Sequence, residues 1–444
     1  MTSTKAKRSD IFSRKLLTAI TVEGFKSIGD RRSMPLSMLN VVAGVNSSGK
    51  SSFMQPLLLL KQTMEAPYDP GPLLINGPNV QFTELDQFFT KGLKTSAQQL
   101  MLGLTYQDQS EFEIHLGKDT QGNLVVLENV SRTSDEEVVV TPDSQSNVMS
   151  KWIEENYRNQ LLRHFKGAVF IPQRDRCFIE SAIKDPNGTI IKIGAIGGPA
   201  MNMTQNLGLN VLHVPGLRGQ PDRRYQNSAV GDVFPGRMDS YVASIIADWQ
   251  DKKDDRLQKL SAYLKQLGLT WTVQSKKVDA TSVEIKVGRM PTALKGGGKD
   301  LVSIADVGFG VSQVLPVLVA LLVARVGQLV YIEQPEIHLH PKAQRALAHV
   351  FADAVVTGQA QIVVETHSAL FLREIQTLVA QAQLDKSLVK FHWVTRNPKG
   401  NTEIATCELD ESGAYGDWPQ DFDETESQAA TDYYEAAEAV LLKS

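Results

Sequence analysis

The chain has 444 residues, 42% of them hydrophobic and 22% charged. This is the composition of a folded protein with room for two or three domains, and it excludes a disordered or fibrous chain. Lys and Arg number 46 against 50 Asp and Glu, a formal charge of −4, which excludes an overall pull toward nucleic acid or an anionic membrane and confines such contacts to local patches. Cys177 and Cys407 lie far apart outside any C-x-x-C pair, excluding a disulfide framework and a thiolate metal site of the usual spacing and fitting a reducing cytosol.

Residues 1–15 are polar and basic and lack the apolar core of a secretory signal, so they read as an N-terminal tail. Short apolar runs, Leu17 to Gly24 and Leu39 to Val45, predict strands on either side of a turn at Ser27 to Pro35, and a helix follows over 49–64. Pro56 predicts a kink if it lies beyond the first turn of that helix. Alternating stretches between Phe82 and Val140, divided by Gly, Asp and Asn, predict an antiparallel sheet. Helical spacing over 146–166 and 240–268 makes 141–299 a partly helical insert, closed by the glycine-rich loop Lys295 to Lys299. Buried strand and helix patterns return over 300–410. The longest apolar run there, Val314 to Ala324, is about half of the ~20 residues needed to span a membrane and reads as a core helix, with no membrane partner expected. Residues 411–444 form an acidic tail with a helical pattern at its end. The expected division is therefore 1–15, 16–140, 141–299, 300–410 and 411–444, without repeats or sustained heptads.

Gly44-Val-Asn-Ser-Ser-Gly49-Lys50-Ser51 satisfies G-x-x-x-x-G-K-[ST] between a predicted strand and a predicted helix. In that setting the glycines let backbone amides face phosphate oxygens at a helix N-terminus, Lys50 reaches the β and γ phosphates, and the Ser51 hydroxyl is a magnesium ligand. Asn46, Ser47, Ser48 and Ser52 complete the cradle, and ATP with Mg2+ is the expected ligand pair. A second apolar run ends in Glu333-Gln334-Pro335-Glu336. Glu333 at the strand end is placed to hold magnesium, with a neighbour orienting the attacking water. A third run ends in Glu365-Thr-His367-Ser368, where His367 is placed to sense phosphate. The turn Asp306 to Gln313 opens the long apolar helix and offers the amides and hydroxyl of Gly310, Ser312 and Gln313 to a further phosphate.

With these four motifs in this order, the chain resembles the ABC-type ATPase heads of the SMC, RecF and OLD group. Ile20 to Ser27, including Lys26, is similar to their first strand and turn, Glu333 to Pro341 to their Walker B and D-loop, His367 to their switch histidine, and Asp306 to Gln313 to their signature. The resemblance implies an α/β fold, an ABC-type P-loop ATPase head with a mixed sheet, helices and an antiparallel β subdomain, interrupted by the insert. It also implies a head-to-tail ATP sandwich, in a homodimer or higher oligomer, with Ser312 contacting the γ-phosphate across the interface. Within the group the chain is similar to compact bacterial AAA-type ATPases of anti-phage systems, including the PtuA component of Septu. Its tail sequence around Trp418-Pro419 and Phe422-Asp423 resembles the ending of one such family. This implies a separately encoded effector, a nuclease, controlled by the ATPase. Gln334 occupies the group's usual general-base position and cannot accept a proton, so slow hydrolysis is expected, with Glu336 as an alternative carboxylate. Gln81, Gln87 and Gln173 are all open as the Q-loop residue. Arg174, Arg176, Arg218, Arg223 and Arg224 are open as contacts to DNA, to nucleotide, or to acidic residues such as Asp175 and Asp222. A RecF-like DNA clamp and a small-molecule P-loop kinase are the rival readings.

Overall fold

The computed structural model describes residues 16–91, 99–153, 155–193, 211–231, 233–292, 300–358 and 360–415. The N-terminal tail, the Lys295 to Lys299 loop and the tail sequence around Trp418 lie outside the described residues.

The chain opens with β1 (Leu17–Glu23), β2 (Arg32–Pro35), β3 (Leu39–Gly44) and α1 (Lys50–Glu65). Next come β4 (Gln99–Tyr106), β5 (Glu111–Lys118), β6 (Leu124–Arg132), β7 (Glu137–Val140), α2 (Ser146–Lys151) and α3 (Glu155–His164). β8 (Val169–Asp175), β9 (Phe178–Lys184), β10 (Ile190–Lys192), β11 (Val211–Val214) and β12 (Tyr225–Gln226) precede α4 (Val242–Lys252) and α5 (Asp255–Gln266). β13 (Val273–Lys277), β14 (Ser282–Gly288) and β15 (Leu301–Ser303) lead into α6 (Phe309–Val323), β16 (Gln328–Glu333), α7 (Pro341–Val356) and β17 (Ala360–Glu365). The described elements end with α8 (Ala369–Ala380), β18 (Val389–Arg396) and β19 (Thr402–Cys407).

The central sheet runs β11-β16-β17-β3-β18-β19, with its first five strands parallel and β19 antiparallel. Its inner strands carry continuous apolar runs because both faces are covered. Leu39, Val41 and Ala43 of β3 face one core with α4 to α8, while Val42 faces the other with α1 and the antiparallel sheet. The same alternation sends Val330 and Ile332 to the first core and Leu329 and Tyr331 to the second. α1 continues through Pro56 as one 16-residue helix.

The antiparallel sheet is β2-β1-β4-β5-β6-β7. The segment expected as a turn at Ser27 to Pro35 contains β2, because Met34 can bury opposite Ile20. The 141–299 segment is shared between the two cores: β11 is the edge of the central sheet, and α4 and α5 pack on the face of α6 and α7. A buried Lys61–Glu65 pair on α1, whose Glu65 Oε2 accepts from Gly236 N at 2.9 Å, ties the chain after β11 to the helix that follows β3. Among the described residues no helix is long and apolar enough to cross a membrane.

Candidate functional site

Two glycines fix the loop between β3 and α1. Gly44 has φ +148° and a Cβ there would lie 2.2 Å from Val394 O; Gly49 has φ +102° and a Cβ would lie 2.4 Å from Thr402 Oγ1. Neither position tolerates a side chain. Thr402 Oγ1 donates to Ser48 O at 2.9 Å, so Ser27 Oγ is the donor in its 2.6 Å contact with Thr402 Oγ1. Ser52 N donates to Gly49 O, Asn46 and Ser47 are exposed, and buried Ser48 Oγ has no hydrogen-bond partner among the described residues. Lys50 Nζ folds back to donate to Gly44 O and Val45 O, each at 2.9 Å, leaving its third N–H for a further acceptor. Burial lowers the Lys50 pKa, and the carboxyl groups of Glu365 and Glu336 oppose that shift.

Parallel pairing of β16 with β17 places Glu333 opposite Glu365 at the carboxyl edge of the sheet, where open α/β sheets bind ligands. Ser51 Oγ donates to Glu365 Oε2 at 2.8 Å and Tyr331 OH to Glu365 Oε1 at 2.5 Å. Burial, reinforced by the Glu333 charge, pushes the Glu365 carboxyl up to about 7. Glu333 shows the opposite balance. Burial pushes its pKa up, yet hydrogen bonds from His213 and from Gly216 N hold it below the ordinary value. Glu336 is buried, accepts from His367 N at 2.7 Å through Oε1, and is raised by burial. Burial and the Lys50 charge lower the His367 pKa and favour its neutral form. Gln334 adopts φ +43°, with its N–H donating to Glu365 O at 2.8 Å.

The predicted site residues therefore fall into separate groups. Lys50, Ser51, Glu333, Gln334, Glu336 and His367 surround one sheet edge. Lys26 instead donates to Gln55 Oε1 at 2.6 Å and lies over the Phe82 ring. Gly310 and Ser312 sit at the outer N-terminus of α6, where Ser312 Oγ donates to Phe309 O. Gln313 turns inward, and its amide donates to Arg218 O and Gly219 O. Among the glutamines left open, Gln87 caps a short turn through Thr83, Gln81 is exposed and Gln173 lies on β8.

Arg218 is buried, and its guanidinium donates to the carbonyls of Pro215, Gln313, Glu333 and Gln334. It joins the start of α6 to the end of β16 rather than facing solvent. Arg174 pairs with Asp69, Arg176 donates to Ala66 O, and Arg223 forks onto Asp306, so the carboxylate partners are not Asp175 and Asp222. Arg224 is exposed without a partner among the described residues. Three participants were absent from the predicted set, Glu365, Tyr331 and His213, while Arg218, left open as a contact to DNA, nucleotide or acidic residues, binds backbone carbonyls instead. Glu365 carried the same signal as Glu333, an acid ending a buried strand. His213, inside the apolar run of β11, carried none.

The residues present fit a magnesium-bound nucleoside triphosphate: a glycine cradle, an unspent ammonium donor, and a helix-start hydroxyl beside paired carboxylates. Among the described residues no group of three or more His, Cys, Asp or Glu is placed to hold a metal ion. Topology and site together define a mixed α/β P-loop head. Residues 214–373, which carry the Glu333 strand, the α6 start and His367, match the family model described as "AAA domain, putative AbiEii toxin, Type IV TA system". Among curated proteins no sequence matches the chain. Solved structures similar to it include an SMC head bound to the C-winged helix domain of ScpA, at 13% identity over 89% of this chain and 99% of that chain, with a TM-score of 0.46. The SMC head domain from Thermotoga maritima is similar at 10% identity over 89% and 100%, with a TM-score of 0.39. The Pyrococcus furiosus Smc head domain with an extended coiled coil, bound to the C-terminal domain of ScpA, is similar at 12% identity over 89% and 96%, with a TM-score of 0.45.

Proposed function

We propose that the chain is a magnesium-dependent ATPase whose nucleotide state controls a separately encoded nuclease effector in bacterial anti-phage defence. The observation that carries the ATPase reading is the 2.8 Å bond from Ser51 Oγ to Glu365, which brings the start of the P-loop helix onto the acidic sheet edge. Bound Mg2+ and ATP supply the electrophilic γ-phosphorus and neutralise developing charge. Ser51, with Glu333 or Glu365, would hold the metal, and Lys50 and the loop amides would bind phosphate oxygens. Gln334 orients water without taking its proton, and Glu336, already raised by burial, is the nearby carboxyl able to receive one.

The outward-facing start of α6, with Phe309 47% exposed, supports a sandwich between two copies in which Ser312 serves the partner's nucleotide. The defence assignment is supported by the sequence resemblance to anti-phage ATPases and by the toxin named in the matching family's description. The DNA-clamp reading is weaker, because Arg174, Arg176, Arg218 and Arg223 are held by contacts within the chain. The test is Mg2+-dependent ATP turnover, which Lys50→Ala should lower by about 100-fold while leaving the fold intact. Equal turnover in the two proteins would reject the reading.

A further inference from the structure

We propose that His213 is a positioning residue of this centre, fixing the Glu333 carboxylate for magnesium and water. The inference deepens the ATPase reading and rests on it. His213 is buried on β11, opposite Tyr331 in the parallel register, and the two rings stack with centroids 5.3 Å apart and planes 8° from parallel. Its Nε2 lies 3.0 Å from Glu333 Oε1, and its Nδ1 lies 3.0 Å from Asn79 Nδ2. That amide also donates to Gly236 O at 3.1 Å. An NH2 group cannot accept a hydrogen bond, so Nδ1 is the acceptor and the ring proton sits on Nε2, pointing at Glu333. Gly216 N takes the other carboxylate oxygen at 3.0 Å.

Glu333 is thereby held by one donor on each oxygen, both from β11 and the loop after it. Ser51 and Tyr331 donate to Glu365 instead. Without the His213 donor, Gly216 N holds one oxygen of Glu333 and leaves the other unrestrained beside a second carboxylate. Outer partners of this kind orient metal-ligating groups. Tyr331 fixes the plane of the ring and Asn79 fixes its tautomer, so each restrains a separate degree of freedom.

The test compares His213→Gln with His213→Asn in the full chain. Gln can reach the Nε2 position and keep a donor on Glu333. Asn reaches only the Nδ1 position. The expected result for His213→Asn is a fall in kcat of about tenfold with KM for ATP little changed, while His213→Gln stays close to wild type. Asn79→Leu, which alters neither His213 nor Glu333, should lower kcat in the same direction. Thermal melting of each variant accompanies the kinetics, because a structural role would lower the melting midpoint in step with activity. Wild-type kcat in both His213→Asn and Asn79→Leu, or an equal loss in the Gln and Asn variants, would overturn the proposal. Wild-type turnover no greater than that of Lys50→Ala would instead reject the ATPase reading and this inference with it.

Discussion

Ser51 and Glu365 lie 314 residues apart in sequence, yet the Ser51 hydroxyl donates to the Glu365 carboxyl at 2.8 Å. The bond spans the gap between the first turn of α1 and the end of β17. It puts a titratable group, pushed up to about 7, against the phosphate cradle.

That shift has a definite pH consequence. The folded pKa is raised, so the group costs nothing where it is neutral in both states, below about 4.5, and its full cost is present above about 7, where it is ionised in both. The penalty is about 3 kcal/mol. Urea unfolding from pH 4.5 to 8 should show less stability lost with rising pH in Glu365→Gln than in wild type. Glu180, also raised to about 7, titrates in both proteins and cancels in the difference. Parallel curves would contradict the assignment.

Gly49→Ala places a methyl group on a backbone at φ +102° and 2.4 Å from Thr402 Oγ1. Strain of this kind costs on the order of 1–3 kcal/mol. The variant should lose ATP binding, measured by equilibrium titration, and unfold at lower urea. Binding at wild-type affinity would show that the loop does not need this conformation.

Arg218→Met removes the guanidinium donor to the carbonyls of Gln313, Glu333 and Gln334, of which Gln334 O keeps the Ile337 N–H at 3.3 Å. The expected loss is about 3 kcal/mol, whereas exposed Arg224→Ala should stay within about 0.5 kcal/mol. Similar unfolding midpoints for the two variants would deny Arg218 its bracing role.

Gln334→Glu restores a group able to accept a proton beside the sheet edge. ATP turnover should rise about tenfold. An unchanged rate would count against slow hydrolysis as the consequence of Gln334.

Much of this site was legible because its parts are local. Gly44 to Ser51 lies within eight consecutive residues, and Glu333 ends an unbroken apolar run. The contacts of Glu365 and His213 depend on which strands neighbour β16, and strand order is not written in any one segment. Val211-Leu-His-Val is short and buried, so it reads equally well as part of an insert and as the sheet edge it forms. Gln313 was read with the signature because it follows Ser312, but helical geometry turns it inward to Arg218.

The most direct test of the central claim, that the P-loop and the acidic edge form one hydrolytic centre, is ATP binding and turnover measured together on Glu333→Gln. The account predicts bound ATP with turnover reduced by about 100-fold. Wild-type turnover in that variant would contradict it.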